Sequence, residues 1–162
     1  MYNEDNSAAE IAEAVLETLL NNMGISADVE SQTSSLIEDE QTNTPLTLNI
    51  KGEDLGILIG RRGQTLAYLQ YVVRLIVAHK IKTQAPIIID VEGYKQRRYQ
   101  ALQALALRIA EQVESRNTPF TLEPMPAYER RIIHITLADH PHVTTESTGM
   151  GELRKVVILP KR

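Results

Sequence analysis

Residues 52–81 read GEDLGILIGRRGQTLAYLQYVVRLIVAHKI. Two glycines frame a pair of arginines at residues 60–63, between a short apolar segment and a longer one. The apolar residues after this turn recur at helical spacing, which predicts a helix over residues 64–80, and residues 53–59 suit a short helix before it. Glycine permits backbone angles and close approaches that a Cβ would block. The stretch therefore predicts two helices joined by a tight, cationic turn.

This turn has the properties of a phosphate-binding loop. A helix offers free N–H groups and the positive end of its dipole at its N-terminus. Arginine side chains add forked donors that match phosphate oxygens. A structural turn with solvated arginines stays open as the alternative, since glycine pairs at this spacing are common. The candidate binding residues are Gly60, Arg61, Arg62 and Gly63.

The apolar pattern around the turn predicts a first domain over residues 8–93, behind a disordered tail over residues 1–7. A capping box at Ser7 is expected to start a helix that Gly24 ends. Apolar runs then predict three strands, at residues 25–30, 45–51 and 86–91. With the two helices around the turn, the predicted order is α-β-β-α-α-β.

Residues 94–162 are predicted to form a second domain of the order α-β-α-β-β. The expected elements are a helix at 95–115, a strand near Phe120, a helix at 124–138, and strands at 143–146 and 154–159. A glycine-bearing turn at 147–151 joins the last two strands. The sequence thus predicts an α+β fold in two small domains.

Charge is distributed unevenly along the chain. Residues 1–94 hold 6 Lys and Arg against 14 Asp and Glu, whereas residues 95–162 hold 11 against 7. Residues 57–82 contain five bases and no acid. Because salt screens interactions beyond about 10 Å, the local sign of charge governs a binding surface. The basic segments therefore favour binding of an anionic partner. The alternative is that these charged residues are only solvated at the surface.

Several classes of function are not expected. The chain has no cysteine, which excludes disulfides, thiolate metal sites and thiol nucleophiles. His134, Asp139, His140 and His142 lie close in sequence, but no metal motif such as H-E-x-x-H is present. G-x-S-x-G, P-loop and paired-carboxylate patterns are also missing, so we expect neither an enzyme nor a cofactor.

The composition also limits the location and the mode of binding. No apolar run approaches the length of about 18 residues that spans a membrane, and the first residues are acidic and polar, which predicts a cytoplasmic protein. With no tryptophan, one phenylalanine and six tyrosines, a broad aromatic platform for bases is not expected.

A second constellation lies in the predicted helix at 124–138. Arg130 and His134 are four residues apart and share one helix face. Arginine is a permanent bidentate donor, and histidine is a smaller donor with a titratable charge, so together they can bind adjacent phosphates. Taken alone, such a pair is also typical of an ordinary helix surface.

The first stretch resembles a KH domain of type II. In that family the G-x-x-G loop clamps the backbone of about four nucleotides. The resemblance assigns this role to residues 60–63 and implies that Ile57, Leu58 and Ile59 line the hydrophobic side of the groove.

The second constellation resembles a single-stranded nucleic-acid-binding domain named for its arginine–histidine spacing, the R-x-x-x-H (R-3-H) domain. Pro124-Met125 and the segment at 147–158 also match that family's pattern. The resemblance implies that the nucleic-acid-binding residues are Arg130, His134, Ser147, Gly149, Gly151 and Arg154.

A KH domain followed directly by an R-x-x-x-H domain is similar to the bacterial Jag family, over nearly all of residues 8–160. The resemblance implies binding of single-stranded RNA, or of single-stranded DNA, in post-transcriptional regulation of cell elongation, cell-wall synthesis or sporulation. A small separate KH protein is an expected partner. A protein-interaction scaffold with incidental RNA contact is the alternative. Many Jag proteins carry an additional N-terminal domain and linker, which this sequence is expected to lack.

Lys95, Arg97 and Arg98 lie in the first turn of a predicted helix, where cations oppose the helix dipole. Cations at a helix N-terminus cost stability, and residues that carry such a cost often have a function. We therefore expect these residues to form a phosphate track between the two domains, with an exposed cluster of no function as the alternative.

Overall fold

The computed structural model describes residues 4–33, 45–82 and 86–161. The chain divides into two compact units, Met1–Lys95 and Gln96–Arg162, whereas the sequence placed the boundary after residue 93. Each unit combines helices with a three-stranded sheet, which confirms the predicted α+β fold with two small domains. The two predicted orders of elements are those observed. Within the described part of the chain, no helix has the length and apolar character needed to cross a membrane.

The first unit packs its helices on one face of its sheet. Strand β2 is central, antiparallel to β1 and parallel to β3. Parallel neighbours need a long crossover, which α2 and α3 supply. The elements are α1 (Glu4–Asn22), β1 (Asp28–Thr33), β2 (Leu46–Lys51), α2 (Gly56–Ile59), a 3-10 turn (Arg61–Gly63), α3 (Gln64–Ile81) and β3 (Ile87–Val91). The core includes Leu16, Leu20, Leu48, Ile50, Leu66, Val73, Val77, Ile87, Ile89 and Val91.

The start of α1 differs from the prediction, whereas Gly24 ends the helix as predicted. The helix begins at Glu4 rather than at Ser7, so residues 4–7 belong to it and not to a tail, while residues 1–3 lie outside the described residues. At its other end Gly24 adopts a positive φ, and the Ile25 N–H donates to the carbonyl of Leu20. This is a Schellman motif, which retains Ile25 in the helix cap. The first strand therefore starts at residue 28 instead of 25.

The second unit has an antiparallel sheet of order β4-β6-β5. Its elements are α4 (Tyr94–Arg116, beginning in the last residues of the first unit), β4 (Phe120–Thr121), α5 (Ala127–Thr136), β5 (Val143–Thr148), a 3-10 turn (Gly151–Leu153) and β6 (Lys155–Pro160). Its core includes Leu102, Ala106, Ile109, Val113, Ile133, Leu137, Val156 and Ile158.

Strand β5 is two residues longer than predicted. Ser147 pairs with Val156 and Thr148 with Lys155, so both lie in the strand and not in the connecting turn. The glycines that suggested a turn from residue 147 instead close the hairpin two residues later. Because Ser147 lies in the strand, its side chain lies on one face of the sheet, and that face determines which residues it contacts.

Candidate nucleic-acid interface

The turn between α2 and α3 requires both of its glycines. Gly60 has φ 67° and ψ −171°, and a Cβ on it would lie 2.0 Å from Thr65 Oγ1. Gly63 has φ 76°, and a Cβ there would lie 2.8 Å from Tyr94 Cε1. Both φ angles fall in the left-handed region that glycine adopts without cost. The backbone at this turn is therefore fixed in a shape that other residues cannot take.

The arginines of the turn lie where an anion would meet the helix. Arg61 is exposed, and Arg62 is half-buried with φ 55°, a strained backbone angle for a residue with a side chain. Helix α3 has no acidic residue in its first turn, and Gly63 at its N-cap offers no side chain to its N–H groups. The positive end of the helix dipole and two guanidinium groups thus belong to one short segment.

Of the three residues predicted to line the hydrophobic side of the groove, one is exposed, one is partly exposed and one is buried. Ile57 is 70% exposed, and Ile59 is half-buried against the core. Leu58 is 3% exposed and belongs to the core, so the prediction that it lines a groove is wrong. The single turn of α2 places Leu58 three residues after Leu55, which is also buried, on the core face of that helix.

In the second unit, Arg130 and His134 meet at one hydroxyl group. Arg130 Nη1 donates to Ser147 Oγ at 3.1 Å, and His134 Nε2 lies 2.8 Å from the same oxygen. Arg130 Nε also donates to the Met125 carbonyl at 3.3 Å, and His134 Nδ1 lies 2.7 Å from Thr145 Oγ1. The pair predicted from its spacing is therefore held by strand β5, through Thr145 and Ser147 on the same face of that strand.

Burial and a neighbouring arginine shift the charge state of His134. Partial burial, and then the nearby Arg130 guanidinium, lower the pKa of His134 below its usual value of 6.5. The neutral ring can accept at only one nitrogen. One nitrogen of the neutral ring therefore donates to the hydroxyl it faces, and the other nitrogen accepts from its hydroxyl. The site thus carries one permanent charge and one ring that is neutral at pH 7.

An open concavity of about 660 Å³ adjoins this network. Sequence reasoning missed four of the six residues around it, namely Ala127, Tyr128, Arg131 and Ile135. The signal that could have found them is their spacing on α5, since residues three, four and seven apart share a helix face. The lining residues are Ala127, Tyr128, Arg130, Arg131, His134 and Ile135.

The glycine-bearing turn after β5 helps to position helix α5, which carries Arg130 and His134. A Cβ on Gly149, which has φ 90°, would lie 2.9 Å from the Leu153 carbonyl oxygen, so only glycine fits. Gly151 also has a positive φ, and its carbonyl accepts from the Arg154 N–H. The Arg154 carbonyl in turn accepts from the Met125 N–H just before α5, while the Arg154 side chain is exposed. This turn therefore positions the start of the helix that bears Arg130.

In the basic cluster at the start of α4, Arg98 is paired within the protein, so its predicted place in a phosphate track is wrong, whereas the roles of Lys95 and Arg97 stay predictions. Arg98 Nε and Nη2 donate to both carboxylate oxygens of Glu129, which is 0% exposed, so Arg98 is a structural residue. Lys95 Nζ donates to Gln70 Oε1 in the first unit. Desolvation lowers the pKa of Lys95, and the Asp90 carboxylate opposes that shift. Arg97 is exposed.

The histidines near the end of α5 do not gather around a common centre. The His140 and His142 rings are 6.4 Å apart, and His142 lies 3.6 Å from the Glu114 carboxylate. In the ranges that the structure describes, no three His, Asp or Glu side chains are grouped as metal ligands.

Two family models match the two units in order. The model described as KhpA/KhpB, KH domain, matches residues 13–89, and the R-3-H domain model matches residues 100–160. The turn at 60–63 lies in the first match, and the Arg130–Ser147–His134 network lies in the second.

The chain is similar to three curated proteins named RNA-binding protein KhpB. It is 40% identical over 147 residues to the protein of Clostridium symbiosum, covering 91% of this chain and 64% of that protein. It is 36% identical over 125 residues to that of Bacillus subtilis, covering 76% and 60%. It is 32% identical over 143 residues to that of Lactiplantibacillus plantarum, covering 88% and 42%. The chain thus spans less than two thirds of the length of these relatives. By both domain matches and by these relatives, the chain belongs to the KhpB (Jag) family, as a KH domain of the KhpA/KhpB type followed by an R-3-H domain.

Proposed function

We propose that this chain binds single-stranded nucleic acid, RNA in preference to DNA, through both of its domains. The turn at residues 60–63 carries the proposal. It combines two obligatory glycines, two arginines and the N-terminus of an 18-residue helix that has no acid in its first turn. A backbone phosphate meets N–H groups, a helix dipole and forked donors in that one segment. The relatives named RNA-binding protein support RNA as the ligand.

The second domain contributes a separate phosphate site. Arg130 is half-buried and oriented by Ser147, so its guanidinium loses little conformational entropy when it binds an anion. Arg131 is exposed on the same concavity and adds a second charge. The role of this domain is to add phosphate contacts that strengthen binding without reading the sequence.

The chain acts by binding and not by catalysis. Following the family resemblance, it works in the cytoplasm as a post-transcriptional regulator of cell elongation or cell-wall synthesis, and of sporulation where that occurs. Crosslinking in cells, followed by sequencing of the bound RNA, tests this role. Recovery of transcripts for cell-wall or elongation functions supports it, and recovery of no RNA contradicts it.

Charge reversal in the turn tests the binding itself. The Arg61→Asp/Arg62→Asp double variant is expected to bind labelled single-stranded RNA at least ~10-fold more weakly in fluorescence anisotropy, because two phosphate contacts become repulsive. The matched control is Arg108→Asp/Arg116→Asp, which changes the net charge equally at exposed positions of α4. Equal affinity of both double variants contradicts the proposal. So does tighter binding of a duplex than of a single strand.

A second candidate function rests on α3. Four exposed apolar residues follow one another at i, i+3, i+4 and i+7 along this helix, an apolar stripe unusual for a surface helix. These residues are Tyr68, Tyr71, Val72 and Leu75. They form a surface on which a small KH-domain protein pairs with this one, as the family resemblance suggests. Light scattering on nuclease-treated protein tests it, since Tyr71→Glu/Leu75→Glu should abolish any association that the unaltered chain shows.

A further inference from the structure

The concavity beside the Arg130–Ser147–His134 network is also lined by two exposed apolar side chains. Tyr128 is 52% exposed and Ile135 is 59% exposed. Both line the same open space as Arg130, Arg131 and His134. A single exposed apolar residue on a surface is ordinary and needs no explanation. An aromatic ring that lines one open space with three nitrogen-bearing side chains is a different case, because the two kinds of group suit one ligand.

Helix α5 fixes the spacing of these groups. Tyr128 lies three residues before Arg131 and seven before Ile135, so the three side chains lie on one face of the helix. Neighbours on such a face are about 5–6 Å apart at their Cβ atoms. The ring of Tyr128 is therefore one helical turn from a guanidinium group.

The ligand that fits must present a negative charge and a flat apolar face close together. A nucleotide in a single strand does so, because its phosphate is charged and its base is unpaired. A duplex hides its base faces in the stack, and an acidic peptide offers charge without a flat face.

We propose that Tyr128 stacks on an unpaired base of the strand whose phosphate is bound by Arg130, Arg131 and His134, with Ile135 as the second apolar wall of a single-nucleotide site. This inference rests on the proposed function and adds to it a contact with the base. Stacking on an aromatic ring tolerates any base, so the contact raises affinity without demanding one sequence.

Three variants and two strands test the proposal. The variants are Tyr128→Ala, Tyr128→Phe, which keeps the ring, and Tyr99→Ala, a control that removes an exposed tyrosine of the same unit outside the concavity. The strands are a fluorescein-labelled oligoadenylate and the same ribose-phosphate backbone without bases. Tyr128→Ala is expected to weaken binding to oligoadenylate ~10-fold, since stacking of one base on an aromatic side chain has that order of effect. Tyr128→Phe and Tyr99→Ala should stay within about 2-fold of the unaltered chain.

Two readouts separate stacking from loss of the fold or of a phosphate contact. Tyr128→Ala should leave the salt slope unchanged and bind the abasic strand as well as the unaltered chain does. Tyrosine emission should fall when oligoadenylate binds, and less so in Tyr128→Phe, which is measurable because the chain has no tryptophan.

Each contrary result overturns the inference. If Tyr128→Ala equals Tyr99→Ala while Arg130→Ala still weakens binding, the base contact is absent but the proposed function stands. Equal weakening by Tyr128→Ala on both strands, or competition by polyglutamate as strong as that by oligoadenylate, shows that the ring does not stack on a base. If the unaltered chain binds neither strand, the proposed function fails and the inference fails with it.

Discussion

Arg98 and Glu129 form a two-bonded ion pair between α4 and α5. Arg98 Nε donates to Oε1 at 2.7 Å, and Nη2 donates to Oε2 at 2.9 Å. The Glu129 side chain is fully buried, and the Arg98 side chain is 26% exposed. A buried carboxylate is tolerated only when it is paired and hydrogen-bonded. Glu129 directly precedes Arg130, so this pair fixes the turn of α5 from which the candidate phosphate-binding arginine extends.

Removal of Glu129 is expected to destabilise the second unit strongly. Glu129→Ala removes the buried carboxylate that accepts two hydrogen bonds from Arg98, and loss of one member of a buried ion pair typically costs about 3–5 kcal/mol. Hydrogen exchange measured by mass spectrometry over peptides of residues 96–161 reports this loss as faster exchange of the slowest amides. Glu111→Ala, at an exposed position of α4, is the control and should leave exchange unchanged. Equal exchange in the two variants would mean that the pair has no structural role.

The sequence alone was sufficient to predict the order of the helices and strands and to single out the G-R-R-G turn and the Arg130–His134 pair. Local patterns carried these predictions. The GRRG turn needs only the conformational freedom of glycine and its position between two apolar helices, and the Arg130–His134 pairing needs only the 3.6-residue period.

The missed features depend on contacts between distant residues. Arg98 looked like part of a surface cluster because its partner, Glu129, lies 31 positions away. Ser147 looked like a turn residue because the glycines after it are turn formers, whereas its pairing with Val156 decides that it is in a strand. Leu58 was assigned to a groove by the family resemblance, and the apolar pattern could not correct this because a single helical turn is too short to indicate which side is buried.

Because Tyr94 packs closely against Gly63, this glycine should be harder to replace than Gly56. Gly63→Ala combines a left-handed φ with a Cβ 2.8 Å from Tyr94, and we expect a loss of about 1–3 kcal/mol in the first unit. Gly56→Ala has no heavy atom within 4 Å of its Cβ and a helical position, so it should stay within about 0.5 kcal/mol. Exchange of the β2 and β3 amides measures both variants. A loss in Gly56→Ala as large as in Gly63→Ala would exclude this steric explanation.

Ser147 should act as one unit with Arg130. Ser147→Ala removes the oxygen that orients the guanidinium, so binding to single-stranded RNA is expected to weaken several-fold. The Arg130→Ala/Ser147→Ala double variant should lose less than the sum of the two single losses, because the serine has no guanidinium left to orient. Anisotropy titrations on the single and double variants give the coupling. Thr144→Ala, at an exposed position of β5, is the control, and strictly additive losses would contradict the coupling.

The lowered pKa of His134 gives the second unit a pH-dependent stability with a definite sign. In the unfolded chain the imidazole takes up a proton near its usual value of 6.5, whereas the folded site holds it neutral to lower pH. The unfolded state therefore binds more protons between these two values, and stability falls as pH drops from 6.5 through the folded pKa. His134→Gln removes the titrating group, so its unfolding free energy should change less over this window. A steeper loss of stability in His134→Gln on acidification would reverse the assignment.

The same proton should strengthen RNA binding in acid. A phosphate beside His134 favours the charged ring, so the bound protein takes up a proton where the free protein does not, and affinity should rise as pH falls below about 6.5. In the protonated ring both nitrogens donate, so whichever hydroxyl, that of Thr145 or that of Ser147, donates to the neutral ring becomes able to donate to a phosphate oxygen. One proton can change affinity by at most about tenfold per pH unit. Anisotropy titrations at constant ionic strength should show this rise in the unaltered chain and in His79→Gln, a control at an exposed position of α3. His134→Gln should show a flat or much weaker dependence, and a rise as steep as in the unaltered chain would place the proton on another group.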